Sequence, residues 1–559
     1  MLISIRQYGE RLKRTLSNTL RTRYVSDPMP NESTGCIWCG YENSDLSAYC
    51  GNCGRGLVFP LTCSECEIGN PSENRYCDNC GSYLKGFGES SAPPIVGSST
   101  LSVWHKVVSW FRRDRARTGA IAILTLIVLS GFGIRLVSLA EIPPNIVADE
   151  ADNLQVVYHI MADTGPGFWG LDWKPAPAAS LYLTSWAMAL FGESIFSMRL
   201  VSAVLSTASL IGFYLAARQF QLSRPASLVG TLLLSTSLLY LHFSRSGWEN
   251  VQVGFFLIMA VLMLTMAMRF GRWHLYVIAG VFVAMGLYGY VVGRTILIGL
   301  ALYLPFVMLL HRHGWRRIAL GFGVMFGTSV VLFAPQLNTI LDDPETFNRR
   351  VYDVYALKDT NRAYFDGRDS HGIIIEQTLD VFKAVILLDS SYSTLADNPR
   401  YVPGGKGFLD RLTGILFWVG LVVSLVRWRQ SLLLWVLLFV MVFLPQVLSV
   451  GSPNGARLVG ALPVVYLFVV FAVDWIWSLK GSLTVVYKGM ATAVVTVIVF
   501  SNVVGYFAWM GTPEAERARQ PAVDISEFET WQELQKIEAQ AGRSGFNVTQ
   551  WHEMRTQLK

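Results

Sequence analysis

The sequence predicts an all-α polytopic membrane protein of about eleven transmembrane helices, with a small cysteine-rich module at its N-terminus. Three observations carry this. Only 15% of the 559 residues are charged while 52% are hydrophobic, against about 25% charged in soluble proteins, and mean hydropathy is +0.38. The apolar residues are concentrated in 119–508, leaving 1–118 and 509–559 polar. All eight cysteines fall between residues 36 and 80. An ordinary soluble enzyme is excluded.

Residues 1–35 form a basic segment with Arg6, Arg11, Lys13, Arg14, Arg21 and Arg23, and Arg112, Arg113, Arg115 and Arg117 precede the first apolar run. Flanking positive charge of this kind marks the cytosolic side of a membrane anchor. A nucleic-acid partner is not expected, because the basic residues have no aromatic or motif support. No cleavable signal is read near Met1, so this region is expected to remain cytosolic.

The cysteines form two C-x2-C-x10-C-x2-C units, Cys36, Cys39, Cys50, Cys53 and Cys63, Cys66, Cys77, Cys80, with each position recurring 27 residues later. Two tight CxxC knuckles complete a tetrahedral thiolate site for Zn2+, and Gly54 and Gly81 suit the left-handed turns that follow such knuckles. Disulfide-linked loops are the competing reading, disfavoured in a reducing compartment. Residues 36–81 resemble the double zinc ribbon family, which implies two structural zinc sites. Ligand sets made wholly of protein leave no open position for catalysis. The ribbons are therefore expected to be structural or to recruit a cytosolic protein partner. Residues 82–118 read as a linker and basic juxtamembrane segment.

Eleven apolar segments are long enough to span: 119–139, 195–217, 226–243, 250–268, 274–291, 295–310, 317–335, 412–426, 431–449, 457–477 and 486–507. The stretch 177–191 is shorter and follows a proline-rich start, so it is expected to be juxtamembrane or re-entrant. With the N-terminus inside and this stretch not crossing, the short inner loops hold Arg218/Arg224, Arg269/Arg272, Arg312/Arg316/Arg317, Arg427/Arg429 and Lys480/Lys488. Each is basic, as the positive-inside rule requires. The outer regions are then 140–194, 336–411 (with a short helix expected around 372–389) and the polar tail 509–559. No function is read in the tail. Its Asn547-Val548-Thr549 triplet fits a glycosylation acceptor, a pattern frequent by chance.

Chemistry is expected at the outer face. Asp149 and Glu150 are adjacent carboxylates just beyond the first span, and a carboxylate there suits a general base acting on a hydroxyl. Arg245, Arg294 and Arg457 stand at outer helix ends and Arg199 inside the second span, where positive-inside statistics predict few arginines. Their guanidinium forks match a lipid phosphate; snorkelling to headgroups is the alternative.

The order Asp149-Glu150-Ala151, Lys174-Pro175-Ala176-Pro177, Leu190-Phe191-Gly192-Glu193-Ser194, Arg199-Leu200 resembles the start of the GT-C glycosyltransferases. Within them the chain is most similar to protein O-mannosyltransferases and lipid A aminoarabinose transferases, the dolichyl-phosphate-mannose-type group. Ser244-Arg245 with Glu249, Tyr290 with Arg294, and Arg457 with Leu462-Pro463 continue the likeness over 119–480. The resemblance implies a GT-C-like domain over 119–508 and a polyprenyl-phosphate sugar donor. It further implies Asp149 as base, Glu150 as its partner or an acceptor contact, and Lys174 at the donor phosphate. One departure is that Trp173 stands where the family often has an acid before that lysine, and Ala176 displaces a proline. Asp172 is a possible substitute, and whether a divalent metal acts at the active site is left open.

The resulting expectation is a membrane glycosyltransferase, hexosyl or pentosyl, in a prokaryotic plasma membrane, acting at the outer face on a lipid, protein or polysaccharide acceptor. Arg245, Arg294, Arg457 and Lys174 are expected at the phosphate. A transporter or lipid flippase is the rival; it calls for functional polar residues at mid-membrane and often internal repeats, and neither is read here. A scaffold built on the ribbons would need far fewer spans.

Overall fold

The computed structural model describes residues 115–559 except 312–313, 384–399, 404–406, 480–483, 520–521, 546 and 559, together with four short strands between residues 34 and 70. The chain divides into two units, residues 1–96 with 307–318 and residues 97–306 with 319–559.

In the first unit β1 (Thr34–Gly35) pairs antiparallel with β2 (Glu42–Asn43), in the register Thr34 to Asn43. Likewise β3 (Leu61–Thr62) pairs with β4 (Gly69–Asn70), Leu61 to Asn70. The two hairpins repeat at the 27-residue offset of the cysteine units, and in sequence each brackets the first knuckle of its unit. The eight cysteines themselves lie outside the described residues.

The second unit is helical. In chain order its helices are α1 (Arg115–Leu136), α2 (Ala148–Met161), α3 (Ala179–Phe191), α4 (Ile195–Gln219), α5 (Arg224–Thr236), α6 (Leu238–Ser244), α7 (Asn250–Phe270) and α8 (Trp273–Leu287). There follow α9 (Arg294–Leu310), α10 (Trp315–Asp342), α11 (Pro344–Val354), α12 (Ser370–Val381), α13 (Arg411–Val426), α14 (Trp428–Leu437) and α15 (Leu444–Val447). The chain closes with α16 (Gly455–Leu458), α17 (Leu462–Ser478), α18 (Thr484–Met510), α19 (Pro513–Ala518), α20 (Phe528–Gln540) and α21 (Val548–Leu558). The ends of α9 and α10 that flank residues 312–313 fall in the first unit.

Among the described residues, eight helical runs are long and apolar enough to cross a membrane, and nine if α5 and α6, bent by 61°, count as one. This makes the chain an integral membrane protein. The two remaining segments of the eleven expected are shorter apolar helices. The segments 274–291 and 412–426 are represented by α8 and α13, of 15 and 16 residues. Such helices rise roughly 22–24 Å, short of a hydrocarbon core of about 30 Å. A correction concerns 336–411. Pro335 does not end α10, which runs on to Asp342, so the outer region starts as helix. The helix expected around 372–389 is α12, and 384–399 lie outside the described residues.

Helix ends separate chemically. One end of the bundle gathers Arg218, Arg269 and Arg427, where Arg427 pairs with Asp474 at 2.9 Å and Asp474 accepts from the Ser223 N–H at 2.9 Å. The other end carries the first outer region, the Arg245 turn and the tail. Between them α17 is buried along nearly its whole length, as expected of a helix apolar all round. A Cβ on Gly420 of α13 would meet the Phe468 carbonyl at 1.8 Å, so only glycine lets α13 approach α17 this closely. The apolar residues left exposed, such as Leu126, Leu129, Val485 and Phe500, lie on α1 and α18 and form a lipid-facing surface.

The tail is a folded element. Strand β5 (Ile146–Val147) pairs antiparallel with β6 (Ala522–Val523). Phe528 and Trp531 of α20 and Trp551 of α21 pack in one cluster with Leu154, Val157 and Tyr158 of α2.

Candidate active site

The site grows from the chain that leaves α1. Residues 137–145 turn away from the end of α1, and the carbonyls of 134–145 are bonded by three buried guanidinium groups. Arg245 donates to the carbonyls of Ile134 (2.7 Å), Arg135 (2.8 Å) and Ile142 (2.9 Å). Arg199 donates to Leu139 (3.1 Å), Pro143 (3.0 Å) and Asn145 (3.0 Å). Arg519, from the tail, donates to Pro144 at 2.6 Å. Asn145 has φ of 58°, a left-handed conformation that asparagine tolerates better than most residues. The donor fork that suits phosphate also suits clustered carbonyls.

Glu150 is the counter-ion of this cluster. It is fully buried, pairs with Arg199 at 3.3 Å and Arg519 at 2.8 Å, and accepts from the Gly247 N–H at 2.7 Å. It also reaches back to the Val147 N–H at 3.4 Å, which fastens the first turn of α2. Burial alone would raise the Glu150 carboxyl. The two arginines and the two N–H groups outweigh it and hold the carboxyl below its ordinary range. Both oxygens are thereby committed, and Glu150 is a structural counter-ion rather than an acceptor contact.

Asp149, one residue earlier, differs. It is half-buried and makes no hydrogen bond or ion pair among the described residues. Its charge acts on Lys174 and on Asp152. Lys174 lies over the Trp173 ring at 4.7 Å and pairs with buried Glu249 at 3.3 Å. Glu249 also accepts from Asn153 at 2.8 Å, and Asn153 accepts from the Trp173 indole N–H at 2.9 Å. The departure at Trp173 thus has a local use, because the indole closes a chain that orients Glu249 and Lys174. Burial lowers the Lys174 ammonium, but Glu249, Asp149 and Asp172 reverse this and hold it charged well above its usual value.

Asp172 shapes the lysine's loop, its Oδ1 accepting from the N–H groups of Lys174 (2.8 Å) and Ala176 (2.9 Å). Burial first, and Glu249 second, push its carboxyl up to about 6, and burial with Asp149 does the same for Asp152. A raised carboxyl pKa stabilises the folded state below the unfolded value and loses that contribution as pH rises through the folded value. Asp172→Asn keeps the turn acceptor and removes the charge. The variant's Tm in detergent is therefore expected to gain on wild type as pH goes from about 4 to about 7. A difference constant with pH would refute the assignment.

The expected phosphate ligands separate. Arg245 is excluded, since its guanidinium is spent on the carbonyls at the end of α1. Arg457 donates to the hydroxyls of Ser449 and Ser452 at 2.7 Å each and to the Val450 carbonyl at 2.9 Å, which pins the 449–453 loop. Arg294 is a strut for α11. Its guanidinium stacks 3.7 Å from the Phe347 ring centroid and donates to the Asn348 side chain (3.3 Å) and the Phe347 carbonyl (3.2 Å). Arg349 and Arg350 follow on α11, and Trp173, Lys174, Pro175, Arg349, Arg350 and Asp353 line one cleft of about 190 Å³. Of the expected set, Asp149 and Lys174 come together.

Sequence reasoning missed Arg349, Arg350 and Arg519. The first two had a signal, adjacent arginines in a region assigned to the outer face. Arg519 had none, since it sits in a polar tail without pattern. Among the described residues no three His, Cys, Asp or Glu side chains gather as metal ligands.

Residues 175–338 match the family model described as dolichyl-phosphate-mannose-protein mannosyltransferase, and residues 36–81 match that of the double zinc ribbon. The first match covers Arg199, Arg245, Glu249 and Arg294 and stops short of Asp149, Lys174 and Arg457. Both resemblances read from the motifs, to the mannosyltransferase-type family and to the double zinc ribbon, are thus borne out over those residues. Among solved structures, the chain is similar to the ArnT protein of Cupriavidus metallidurans bound to undecaprenyl phosphate. There the identity is 15% over 76% of this chain and 77% of that one, with a TM-score of 0.45. It is similar to the Archaeoglobus fulgidus oligosaccharyltransferase tethered to an acceptor peptide, at 13% identity over 78% and 64%, with a TM-score of 0.45. It is also similar to the Saccharomyces cerevisiae protein O-mannosyltransferase Pmt1–Pmt2 complex bound to the sugar donor, at 16% identity and a TM-score of 0.35. That likeness covers 41% of this chain and about a third (34%) of the yeast chain. No curated protein matches the sequence.

Proposed function

We propose that this protein transfers a sugar from a polyprenyl-phosphate donor to an acceptor hydroxyl, with Asp149 as general base. The observation that carries the reading is a carboxylate free of hydrogen bonds among the described residues, beside a largely buried lysine that shares a cleft with two arginines. In the step, the acceptor oxygen bonds to the anomeric carbon while the bond from that carbon to the phosphate oxygen breaks. Its electron pair leaves with the polyprenyl phosphate, and the hydroxyl proton passes to Asp149. A single displacement inverts the anomeric centre.

Charge balance supports Arg349 and Arg350 at the leaving phosphate. Lys174 already faces Glu249, Asp149 and Asp172, so a phosphodiester needs positive charge from elsewhere in the cleft. Arg349→Ala with Arg350→Ala is expected to raise the donor KM about tenfold or more, since each decade is 1.4 kcal/mol, with little change in kcat. An unchanged KM would remove them from the phosphate site.

The pairing of β5 with β6 supports an outer location for both partners. Tail and first outer region then lie on one side, which requires an even number of crossings between them. Ten crossings satisfy this if α3 does not span. Protease or impermeant-label mapping of 140–194 and of the tail on right-side-out vesicles tests the topology, and exposure on opposite faces would refute it.

For the ribbons we infer two Zn2+ sites, each with four of the cysteines, Cys36, Cys39, Cys50 and Cys53 in one and Cys63, Cys66, Cys77 and Cys80 in the other. The repeated hairpins fit two equal modules. Zinc analysis of the purified chain is expected to give two equivalents, falling to one when Cys36 and Cys39 are replaced by Ser. Zinc content insensitive to these cysteines would overturn the assignment.

The primary test is a transfer assay in native membranes with radiolabelled polyprenyl-phosphate sugars, comparing wild type with Asp149→Asn. Label reaching product only with wild type is the expected result, and full activity in the variant would end the reading.

A further inference from the structure

We propose that the C-terminal tail is an integral part of the active site, and that Arg519 is a positioning residue for Asp149. The kinetic arm of this inference rests on the function proposed above; the structural arm does not.

The tail holds the chain on both sides of Asp149 by three independent contacts. Arg519 donates to the carbonyl of Pro144 at 2.6 Å and to Glu150 at 2.8 Å. Three residues further on, β6 adds to β5 immediately before α2. Then α20 packs on α2 through Phe528 and Trp531 against Leu154, Val157 and Tyr158, and Gln532 and Lys536 tie the same helix to Glu193 at 3.1 and 2.8 Å. Residues 144–158 are thus braced at carbonyl, strand and helix level, and Asp149 lies in that stretch with no hydrogen bond of its own among the described residues.

The buried charges say why Arg519 is specific. Glu150 has two oxygens and two guanidinium partners. Arg199 engages Oε1, which also takes the Gly247 N–H, while Arg519 engages Oε2, the oxygen that reaches back to the Val147 N–H. Removing Arg519 frees the oxygen that fixes the first turn of α2, where Asp149 stands. Arg199 cannot take over, being committed to four carbonyls between residues 139 and 145. Arg519 itself is 1% exposed and touches the cleft nowhere, so it acts on the reaction only through α2.

The experiment uses the full chain in native membranes. Arg519→Gln is expected to lower kcat at least tenfold with donor KM within twofold, and Arg519→Lys, which keeps the charge, to recover part of the loss. The exposed pair partner Arg543, bonded to Glu538 at 2.6 Å, serves as a control, and Arg543→Ala is expected to leave kcat unchanged. Because Arg519→Gln leaves Glu150 short of a partner, Glu150→Gln/Arg519→Gln provides a variant without that buried imbalance. The low kcat is expected to persist in the double variant. Recovery of full kcat there, or unchanged kcat in Arg519→Gln, would reduce Arg519 to a structural counter-ion. The activity-independent readout is the labelling rate of Asp149→Cys by an impermeant maleimide, followed by peptide mass mapping at residue 149. The rate is expected to change at least threefold when Arg519→Gln is added. An unchanged rate overturns positioning even if no sugar donor is ever found. Absent transfer with altered labelling instead overturns the glycosyltransferase reading alone.

Discussion

Asp149→Asn is expected to lower kcat for sugar transfer by roughly two to four orders of magnitude, the range general-base removal produces, with membrane insertion and Tm unchanged. The two halves of this expectation have separate physical causes. Asp149 makes no hydrogen bond among the described residues, so an isosteric amide breaks no structural contact. Asn cannot accept the hydroxyl proton, so the attacking oxygen keeps it as the bond to phosphate breaks. Some charge relief is also lost, since Asp149 is one of the anions holding Lys174 protonated. Glu249, at 3.3 Å, and Asp172 remain to do that, so donor KM should move little. A kcat loss confined to a few-fold, or a Tm loss as large as that of Glu150 variants, would show that Asp149 is not the base.

Glu150→Ala has the opposite signature. It leaves Arg199 and Arg519 buried without their anion, and breaking such a pair costs about 3–5 kcal/mol. The chain is expected to express poorly in the membrane or to melt many degrees lower, whatever substrate is offered. Glu150→Gln should cost less, because the amide oxygen still accepts from the Gly247 N–H. The pH dependence follows in sign. A carboxyl held below its ordinary range contributes stability that is present at neutral pH and is lost as pH falls through the folded-state value. Acid should therefore destabilise wild type more than Glu150→Gln. Equal acid sensitivity would mean that Glu150 is not ionised in the folded protein.

These adjacent carboxylates show what the sequence could and could not reveal. As a pair they were legible, because two acids follow the first span in an order that resembles a known family. Their division of labour was not. It depends on α2 turning Glu150 inward to meet an arginine from α4 and another from the tail, contacts that join residues far apart in the chain. The arginines at the outer helix ends were legible as a class for the same statistical reason. Arg245 and Arg457 nevertheless serve backbone carbonyls and loop hydroxyls, since a guanidinium fork satisfies several oxygens of any origin. Spans were read well where apolar runs are long. At α8 and α13 the helix is shorter than the usual span, and loop residues extend the apolar stretch past it. The modular repeat at the N-terminus was fully visible in cysteine spacing, and the hairpins recur at that spacing.

The strand joining Ile146 to Val523 has one more consequence, for the order of synthesis. The first outer region leaves the ribosome before its partner strand and Arg519, which follow every described membrane-spanning helix. Folding as the chain emerges can assemble the helices, but the carbonyl turn and the first turn of α2 wait for the tail. A nascent or truncated chain already in the membrane would carry Asp149 and Lys174 without the brace between them. Synthesis of the tail thus doubles as a check on the competence of the first outer region.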